Sequence, residues 1–447
     1  MKDGTAPWLQ NPKVSLNHSD YENVTVDYDI AIVGAGIAGA ATAFKFAEAG
    51  FKVVLLEKEA LPAQAGSGNL QGMLYLKLSP SLTYQNELLI SGFEATTALL
   101  ELLTTRGLLQ KGIDWDDCGL LQLSKSEKKK DKQALLSEIY SKDLLYFVDQ
   151  EKASEIAGAR LSSGGLFFPR SGWVSPQSLV QALMTHKNIT FLGSHPVLKI
   201  EAKPLSLEAP LWQVEAASKI INAKVVILAM ADRVTELHQC QKIPFTVVRG
   251  QTTTAVGDCG LSVVVSGEGY IAPAKCFNGV MKSTFGATFH RHQPAGLPTE
   301  SEHLENIEML EASSPEVVTR LALSLGKGAD AFKSLEGRVA TRASAMGSIP
   351  IVGPIANRAL FLEQFEAIRV DAKAIPDANV PWELGLYLTT AHGSRGMVTA
   401  SIAADILFHY VCGKKVITGL NQPCYSQELL SALHPNRFYY RELRFNQ

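Results

Sequence analysis

The stretch that decides the fold is residues 28–58, YDIAIVGAGIAGAATAFKFAEAGFKVVLLEK. A short apolar strand pattern leads into Gly34-x-Gly36-x-x-Gly39, and an alanine-rich helical run follows the glycines. A second β-branched run ends at Glu57, about 20 residues further on, which is the spacing of a dinucleotide-binding strand–helix–strand unit. This order of elements predicts a doubly wound α/β domain built around a parallel sheet.

Each of these residues has a physical reason to be there. Gly34 permits a tight turn, Gly36 lets a pyrophosphate approach the backbone, and Gly39 lets the helix pack close to the strand. The helix N-terminus presents the positive end of its dipole to phosphates, and Glu57 can accept hydrogen bonds from ribose hydroxyls. The pattern fits either NAD or FAD, whereas a carboxylate at Glu57 disfavours the 2′-phosphate of NADP.

Composition bounds the rest of the chain. Its 447 residues allow two or three domains, and 46% hydrophobic with 19% charged residues is typical of a well-packed globular protein. A net charge of −2 excludes a global basic field for nucleic acid or acidic membranes, although it leaves room for a local patch. Six cysteines without a C-x-x-C pair indicate neither a zinc site nor a disulfide framework, so we expect no metal and a cytoplasmic protein with reduced thiols.

The first 27 residues are polar and lack the apolar core of a signal peptide, so we expect an N-terminal arm. Later in the chain no run of about 18 uncharged apolar residues appears, so we expect no membrane-spanning helix.

Beyond residue 58 the pattern changes twice. Residues 245–289 alternate like an antiparallel sheet with glycine-rich turns, which makes them the candidate substrate domain. For Lys128–Lys130 a solvated loop or a helix start is favoured over a nucleic-acid patch. The other predicted elements are loops at 61–72 and 164–173, helices at 86–106, 176–185, 302–325 and 397–412, and strands at 189–191, 197–200, 212–216, 224–229 and 386–390.

Four further motifs carry a resemblance: GSGNLQGMLY at 66–75, RVATR at 338–342, HGSRG at 392–396 and LHPNRF at 433–438. A resemblance to the D-amino-acid oxidase-like flavoenzymes, a family that includes glycine and sarcosine oxidases, rests on the glycine fingerprint, residues 164–173, FGATF at 285–289 and the HGSRG turn. The four motifs together indicate a closer relationship inside that family. Within that family, the chain is similar from about residue 28 to 445 to the FAD-dependent half of the bifunctional tRNA 5-methylaminomethyl-2-thiouridine biosynthesis proteins. The SGNLQG stretch at 67–72 and the LHPNRF stretch at 433–438 are the specific ones.

The resemblance implies FAD as cofactor and an α/β fold, in which a discontinuous, doubly wound, Rossmann-like FAD-binding domain accompanies a mostly antiparallel α+β substrate domain. The implied boundaries are an arm at 1–27, an FAD-binding domain at 28–110, 155–235 and 338–425, a substrate domain at 111–154 and 236–337, and a tail at 426–447.

The implied activity is oxidation of a secondary amine C–N bond, which removes the carboxymethyl group of carboxymethylaminomethyl-uridine at the tRNA wobble position. Transiently bound tRNA would be the substrate, molecular oxygen would be the acceptor, and a separate methyltransferase is a candidate partner. Two alternatives stay open: an amine oxidase of the glycine or sarcosine oxidase type that acts on a small amino acid, and a flavin-bound tRNA-binding protein without turnover.

The resemblance also assigns site residues. Arg342 matches the arginine that binds the substrate carboxylate, Tyr270 matches the tyrosine that assists it, and Arg395 adds positive charge near the flavin. His392 is either a base or a structural residue, and the structural role is favoured. The expected cofactor-binding residues are Gly34, Gly36, Ile37, Ala38, Gly39, Glu57, Lys58, Ser67, Gly68, Asn69, Gln71, Gly72, Val197, Ala229, Gly353, Gly393, Ser394, Arg395, Gly396 and Met397.

The sequence departs from that family in three places. We expect no methyltransferase domain, Gly347 stands where the family has an acidic residue, and Leu76 followed by Lys77 replaces its proline. Lys77 could promote the reaction with oxygen, but a solvent-facing lysine is favoured. In the tail, we expect the aromatic residues to dock on the protein and leave the interleaved arginines for tRNA; these are Arg437, Arg441 and Arg444.

Overall fold

The computed structural model describes residues 7–9, 11–81, 83–124, 126–217, 219–323, 334–413 and 425–445. The strands are β1 Tyr28–Val33, β2 Val53–Leu56, β3 Gly72–Leu74, β4 Trp115–Asp116, β5 Leu120–Leu123, β6 Tyr146–Val148, β7 Gly165–Phe168, β8 Gly172–Val174, β9 Ile189–Leu192, β10 Val197–Pro204, β11 Pro210–Ala216, β12 Lys219–Leu228, β13 Thr246–Val256, β14 Val264–Ser266, β15 Tyr270–Ile271, β16 Lys275–Phe277, β17 Val280–Gly286, β18 His290–Arg291, β19 Leu335–Ser344, β20 Ile351–Ala356 and β21 Trp382–Thr390. The α-helices are α1 Ile37–Glu48, α2 Tyr84–Thr105, α3 Glu127–Ile139, α4 Gln150–Ala157, α5 Pro176–Met184, α6 Glu300–Ser313, α7 Pro315–Arg320, α8 Arg358–Gln364, α9 Gly396–Cys412, α10 Gln427–Leu433 and α11 Arg437–Phe445.

The first compact unit comprises Met1–Gln64, Leu183–Thr246 and Ala343–Gln447. Its central sheet has the parallel order β9–β2–β1–β12–β21, and β20 pairs antiparallel with β21. The β10–β11 ribbon extends this sheet from β12. All parallel strands end at one edge, and ligands of open α/β sheets bind in the crevice outside that edge.

The parallel strands of this unit are apolar because they are covered on both faces. The four residues of β2 are fully buried, as are Ile30 to Ile32 of β1. Helices α1 and α9 pack together, with the rings of Phe46 and Phe408 5.2 Å apart in an edge-on arrangement. The strand–helix–strand prediction for residues 28–58 is therefore confirmed.

The second unit comprises Ala65–Ala182 and Val247–Arg342. Within its described residues, ten strands form a mostly antiparallel sheet in which β5 and β14 pair in parallel, and β3, β8 and β4 form a small separate sheet. The antiparallel sheet predicted at 245–289 is confirmed, since β13 to β17 lie there.

The N-terminal arm packs on the first unit. Trp8 is buried, lies edge-on against Phe361 and Phe365, and stacks on Tyr440 with ring centroids 4.6 Å apart. Further along the arm, the buried Lys224 ammonium donates a hydrogen bond to the Leu16 carbonyl at 3.1 Å. Trp8 is thus part of the hydrophobic core of the first unit.

Two predictions of elements are wrong. Residues 164–173 form β7 and β8 with a turn rather than a loop, because their glycines serve close strand approach: a Cβ on Gly165 would lie 2.0 Å from the Gln122 carbonyl oxygen. The single helix predicted at 302–325 is two helices, since Ser314 is extended and caps α7, which starts at Pro315. Residues 324 and 325 lie outside the described residues. Lys128–Lys130 lie in the first turn of α3, as a helix start requires.

The compact units divide the chain at different residues from the boundaries that we expected. Residues 65–110 and 155–182 lie in the second unit, where β3 pairs with β8 and β7 pairs with β5. The assignment of a function to each domain stays a prediction.

One described helix, α2, is long and apolar enough to cross a membrane by length and composition alone, with a mean hydropathy of 1.3 over its window. This is weak evidence, since 44% of that window is buried inside the protein. Moreover, Glu94 of α2 forms a bidentate ion pair with Arg170 at 2.9 and 2.8 Å. Both side chains of this pair are about half exposed, so α2 carries charge on its outer face and buries the other face.

Within the described ranges no group of three His, Cys, Asp or Glu side chains could hold a metal ion. Cys424 lies outside those ranges. The cytoplasmic location of the protein stays a prediction. The described free cysteines are Cys118, Cys240, Cys259, Cys276 and Cys412.

Candidate functional site

The first part of the site is the glycine turn between β1 and α1. Gly34 has φ +106°, and a Cβ there would lie 2.6 Å from the Ala229 carbonyl oxygen, so only glycine fits between the ends of β1 and β12. A Cβ on Gly39 would lie 1.9 Å from the Gly34 carbonyl oxygen. These two glycines bring the start of α1 against the strand ends, as a pyrophosphate cradle requires.

Gly36 is the N-cap residue of α1 and supplies no side-chain cap, which leaves the positive end of the helix open to a phosphate. Glu57 follows β2 at the same edge of the sheet. One of its carboxylate oxygens accepts a hydrogen bond from the Ala35 N–H at 2.8 Å, and the other accepts one from the Glu59 N–H at 3.2 Å. A carboxylate has about four lone-pair sites, so Glu57 keeps capacity for two ribose hydroxyls.

A second helix N-terminus lies beside the first. After β21, a 3₁₀ turn at Gly393–Arg395 leads into α9, and a Cβ on Gly396 would lie 3.3 Å from Ile37 Cγ2. Arg395 is the N-cap residue of α9 and makes no side-chain capping bond. Two helix dipoles and one guanidinium therefore act on the same region of the first unit.

His392 is held as a neutral, structural residue. Thr399 donates its hydroxyl proton to the Arg395 carbonyl, so His392 Nδ1–H donates to Thr399 Oγ1 at 2.8 Å, and Nε2 accepts from Thr389 Oγ1 at 3.1 Å. Burial lowers the pKa of His392 to about 4. Both ring nitrogens are occupied, and the arrangement supports the structural role over the base.

The second unit holds the loop 65–72 by side-chain hydrogen bonds. Arg338 donates to Asn69 Oδ1 at 2.8 Å and to the Ala65 carbonyl, and Gln177 donates to the Gly68 carbonyl at 2.7 Å. At the other end, the Gln71 carbonyl accepts from the Tyr270 hydroxyl at 3.0 Å, while the Gln71 amide donates to a neighbouring carbonyl, that of Pro273, at 3.0 Å. The loop has one defined shape, and Arg338 and Tyr270 are its main clamps.

Arg342 lies on the same strand as Arg338, four residues further along, and so on the same face. Among the described residues it donates no hydrogen bond and has no carboxylate within 4.0 Å. Burial lowers its pKa, and the nearby phenols of Tyr270 and Tyr75 oppose that shift. Burial likewise raises the pKa of Tyr270, so its hydroxyl stays protonated. A half-buried guanidinium that has no carboxylate partner among the described residues can offer two parallel N–H donors to an anion.

Gly250 makes room for that guanidinium. A Cβ at this position would lie 2.3 Å from Arg342 Nη2 and 2.7 Å from the Thr288 carbonyl oxygen. The flat backbone of β13 is therefore the surface on which Arg342 rests.

The remaining predicted residues are placed as follows. Val197 starts β10 beside His195, whose N–H donates to the Glu57 carbonyl at 2.8 Å. Lys58 is exposed and pairs with Glu59 at 3.1 Å. Gly353 lies within β20 with φ +136°, where a Cβ would lie 3.3 Å from Pro435 Cδ, so the structure gives it a packing role. Ser67 and Gly72 belong to the clamped loop and to β3, Lys77 is exposed, and Ser394 and Met397 flank the start of α9.

These residues fit FAD. The cradle at Gly34 and Gly39 leaves no space for a side chain, the start of α1 has no side-chain cap, and Glu57 retains acceptor capacity. The start of α9 adds a second positive helix end, suited to negative charge on a reduced ring system.

The comparison with protein families agrees. The family described as FAD dependent oxidoreductase (DAO) matches residues 29–409. This chain belongs to that family. FAD is accordingly its cofactor and oxidation–reduction its chemistry, and the predictions of family, fold class, cofactor and enzyme class are confirmed.

Two relatives and two solved structures refine the comparison. The tRNA 5-methylaminomethyl-2-thiouridine biosynthesis bifunctional proteins MnmC of Pseudomonas fluorescens (strain Pf0-1) and Pseudomonas putida (strain W619) are each 38% identical over 98% of this chain. The chain spans 62% of the length of each. Glycine oxidase of Geobacillus kaustophilus superposes with a TM-score of 0.68 at 19% identity, covering 90% of this chain and 99% of that one. Glycine oxidase of Bacillus cereus ATCC 14579 gives the same score and identity over 91% and 98%. At this identity the two structures support the fold alone.

Sequence reasoning quoted Arg338 without a role and missed Gly250 and Gln177. The signal for Arg338 was present, since residues four apart on a strand share one face and Arg342 was already assigned. Gly250 and Gln177 gave no signal, because the contacts that give them a role join segments far apart in sequence.

Proposed function

We propose that the enzyme oxidises a secondary amine that carries a carboxylate, and that this substrate is carboxymethylaminomethyl-uridine at the wobble position of a tRNA. The observation that carries the proposal is the Arg342 guanidinium, which lies beside the protonated Tyr270 and has no hydrogen-bond acceptor or carboxylate partner in the part of the chain that the structure describes. An ionised arginine taken out of water without a counter-charge is costly, and a substrate carboxylate would provide that charge.

Each residue of the proposed site has a distinct role in this reaction. Arg342 would bind the carboxylate through two parallel N–H donors, which fixes the adjacent CH₂ group in position. Tyr270 would add its hydroxyl, exchanging the Gln71 carbonyl for the substrate. Bound FAD would accept the hydride from that carbon, and the positive ends of α1 and α9 with Arg395 would stabilise the charge that results.

Loss of the hydride and the amine proton would leave an imine between the carbon and the nitrogen. Water would add to it and release glyoxylate, so that the aminomethyl-uridine stays on the tRNA. No side chain is required as a base if the amine binds in its neutral form, and this agrees with the neutral, fully bonded His392.

The choice of tRNA over a free amino acid rests on the relatives that are 38% identical, whose names specify a tRNA product. The proposal has three further parts. The loop 65–72 contacts the cofactor, molecular oxygen accepts the electrons from the reduced flavin, and a separate methyltransferase is a partner.

The test is anaerobic flavin reduction with three substrates in parallel: the modified tRNA, glycine and sarcosine. We expect bleaching by micromolar tRNA alone and none by an equal concentration of tRNA without the modification. Bleaching by glycine or sarcosine with inert tRNA would replace the proposal by a small-molecule oxidase. A flavin that only dithionite reduces would indicate a tRNA-binding protein without turnover.

A further inference from the structure

The C-terminal helix α11 has one face fixed in the core of the first unit. Phe438, Tyr439 and Leu443 are 8%, 2% and 1% exposed. Tyr440 stacks on Trp8 with ring centroids 4.6 Å apart. The helix cannot rotate about its axis without breaking these contacts, so its outward face is defined.

Two charged residues of α11 also fasten the helix to the first unit. Arg437 donates to the carbonyl oxygens of Ile349 and Pro350, each at 3.1 Å. Glu442 accepts two hydrogen bonds from the Arg358 guanidinium. The expectation that all three tail arginines are left for tRNA is therefore wrong for Arg437, because backbone carbonyls bind it.

The other two arginines flank an exposed ring. The guanidinium carbons of Arg441 and Arg444 lie 5.5 and 5.3 Å from the ring centroid of Phe445, which is 52% exposed. In the described part of the chain neither arginine has a carboxylate within 4.0 Å. Arg441 Nε is buried and lacks a hydrogen-bond partner there, whereas the side chain as a whole is only half-buried.

Helix geometry explains only part of this arrangement. A cation in the last turn is stabilised by the helix dipole, and this accounts for the position of Arg444. It does not explain why an exposed aromatic ring lies between two guanidinium groups that have no carboxylate partner among the residues described. Single-stranded RNA supplies what both need, since its bases stack on aromatic rings and its phosphates bind arginine.

We propose that Arg441, Arg444 and Phe445 form a contact surface for the unpaired nucleotides of a tRNA. The identification of the RNA rests on the proposed function, whereas the surface itself rests on the contacts of α11. With a net charge of −2, the protein needs such a local cluster to bind a polyanion.

The experiment measures binding of a tRNA transcript to the FAD-loaded protein by fluorescence anisotropy across a salt series. Because each phosphate contact adds to the salt slope, we expect Arg441→Gln/Arg444→Gln to weaken binding about tenfold and to reduce the slope by about 1.5. Phe445→Leu removes stacking but no charge, so affinity should fall about tenfold with the slope unchanged.

The matched control is Lys128→Gln/Lys132→Gln, which removes two exposed charges from α3. It should leave affinity and slope unchanged, and all variants should keep the melting temperature of the wild type. Wild-type affinity in the Arg441/Arg444 variant, an equal loss in the α3 control, or no tRNA binding by the wild type would each overturn the surface. If tRNA binds through these residues but never bleaches the flavin, the proposed function fails while the surface stands.

Discussion

Replacing Gly250 by alanine is a sharp test of the proposed carboxylate site, because the change adds one methyl group against the guanidinium that we propose binds the substrate carboxylate. The new Cβ would lie 2.3 Å from Arg342 Nη2 and 2.7 Å from the Thr288 carbonyl oxygen. Carbon atoms of side chains essentially never approach other atoms closer than 3.0 Å, so the guanidinium must move. A displacement of about 1 Å is enough to lose the parallel geometry of an arginine–carboxylate pair.

The expected fall in kcat/KM follows from the strength of the hydrogen bonds between Arg342 and the substrate carboxylate that the substitution would misalign. A hydrogen bond to a charged group contributes about 1.5–3 kcal/mol, and every 1.4 kcal/mol is tenfold in affinity. Misplacing one such bond therefore predicts a fall in kcat/KM of about 10- to 100-fold. Most of the loss should appear as a higher KM, since the carboxylate is bound both before and during hydride loss.

The assay is stopped-flow flavin reduction against substrate concentration, with the melting temperature measured alongside. Gly296→Ala is the control, because a Cβ there meets nothing within 4 Å and its φ is not positive. Arg342→Lys is a second variant that removes the bidentate donor without touching Gly250 or Thr288. A folded Gly250→Ala enzyme with wild-type kcat/KM would refute this placement of the substrate carboxylate.

Two further predictions follow from the clamps and the buried histidine. Arg338→Met removes the donors to Ala65 and Asn69, so the apoprotein should bind FAD about tenfold more weakly. Arg338→Lys should not restore both hydrogen bonds. Unchanged FAD affinity of Arg338→Met in a fluorescence titration would rule out this role of Arg338. Burial lowers the pKa of His392 to about 4, so the unfolded chain takes up the proton first and the free energy of unfolding should fall as pH drops from about 6.5 to 4, by about 3 kcal/mol. Urea unfolding of His392→Gln should show a shallower fall, and the same fall in both proteins would mean that other groups carry it.

The sequence predicted the parallel core well because its signals are local. The run from Tyr28 to Glu57 contains strand, turn, helix and strand in one stretch, and Gly39 acts within it. Gly34 also fits against Ala229 after β12, a contact that the motif does not record. Residues 164–173 gave the opposite result. Their glycines suggested a loop, whereas Gly165 in fact lets β7 approach β5, a partner more than 40 residues away in sequence.

In the candidate site, too, the sequence identified residues in local motifs but not the contacts between distant segments that give other residues their roles. Arg342 and Tyr270 came from motifs, but what makes Arg342 a site is the lack of any partner among the described residues, and no sequence pattern records that. Gly250 acquires its role only when β19 lies against β13. The role of Arg437 also depends on tertiary contact, since the carbonyls that bind it belong to residues 349 and 350.

The most direct test of the central claim is a single anaerobic turnover with modified tRNA in which three products are counted. We expect each equivalent of reduced flavin to appear with one equivalent of glyoxylate and one of aminomethyl-uridine in the digested tRNA. Reduced flavin without glyoxylate, or with an unchanged nucleoside, would contradict the claim that this enzyme removes a carboxymethyl group from tRNA.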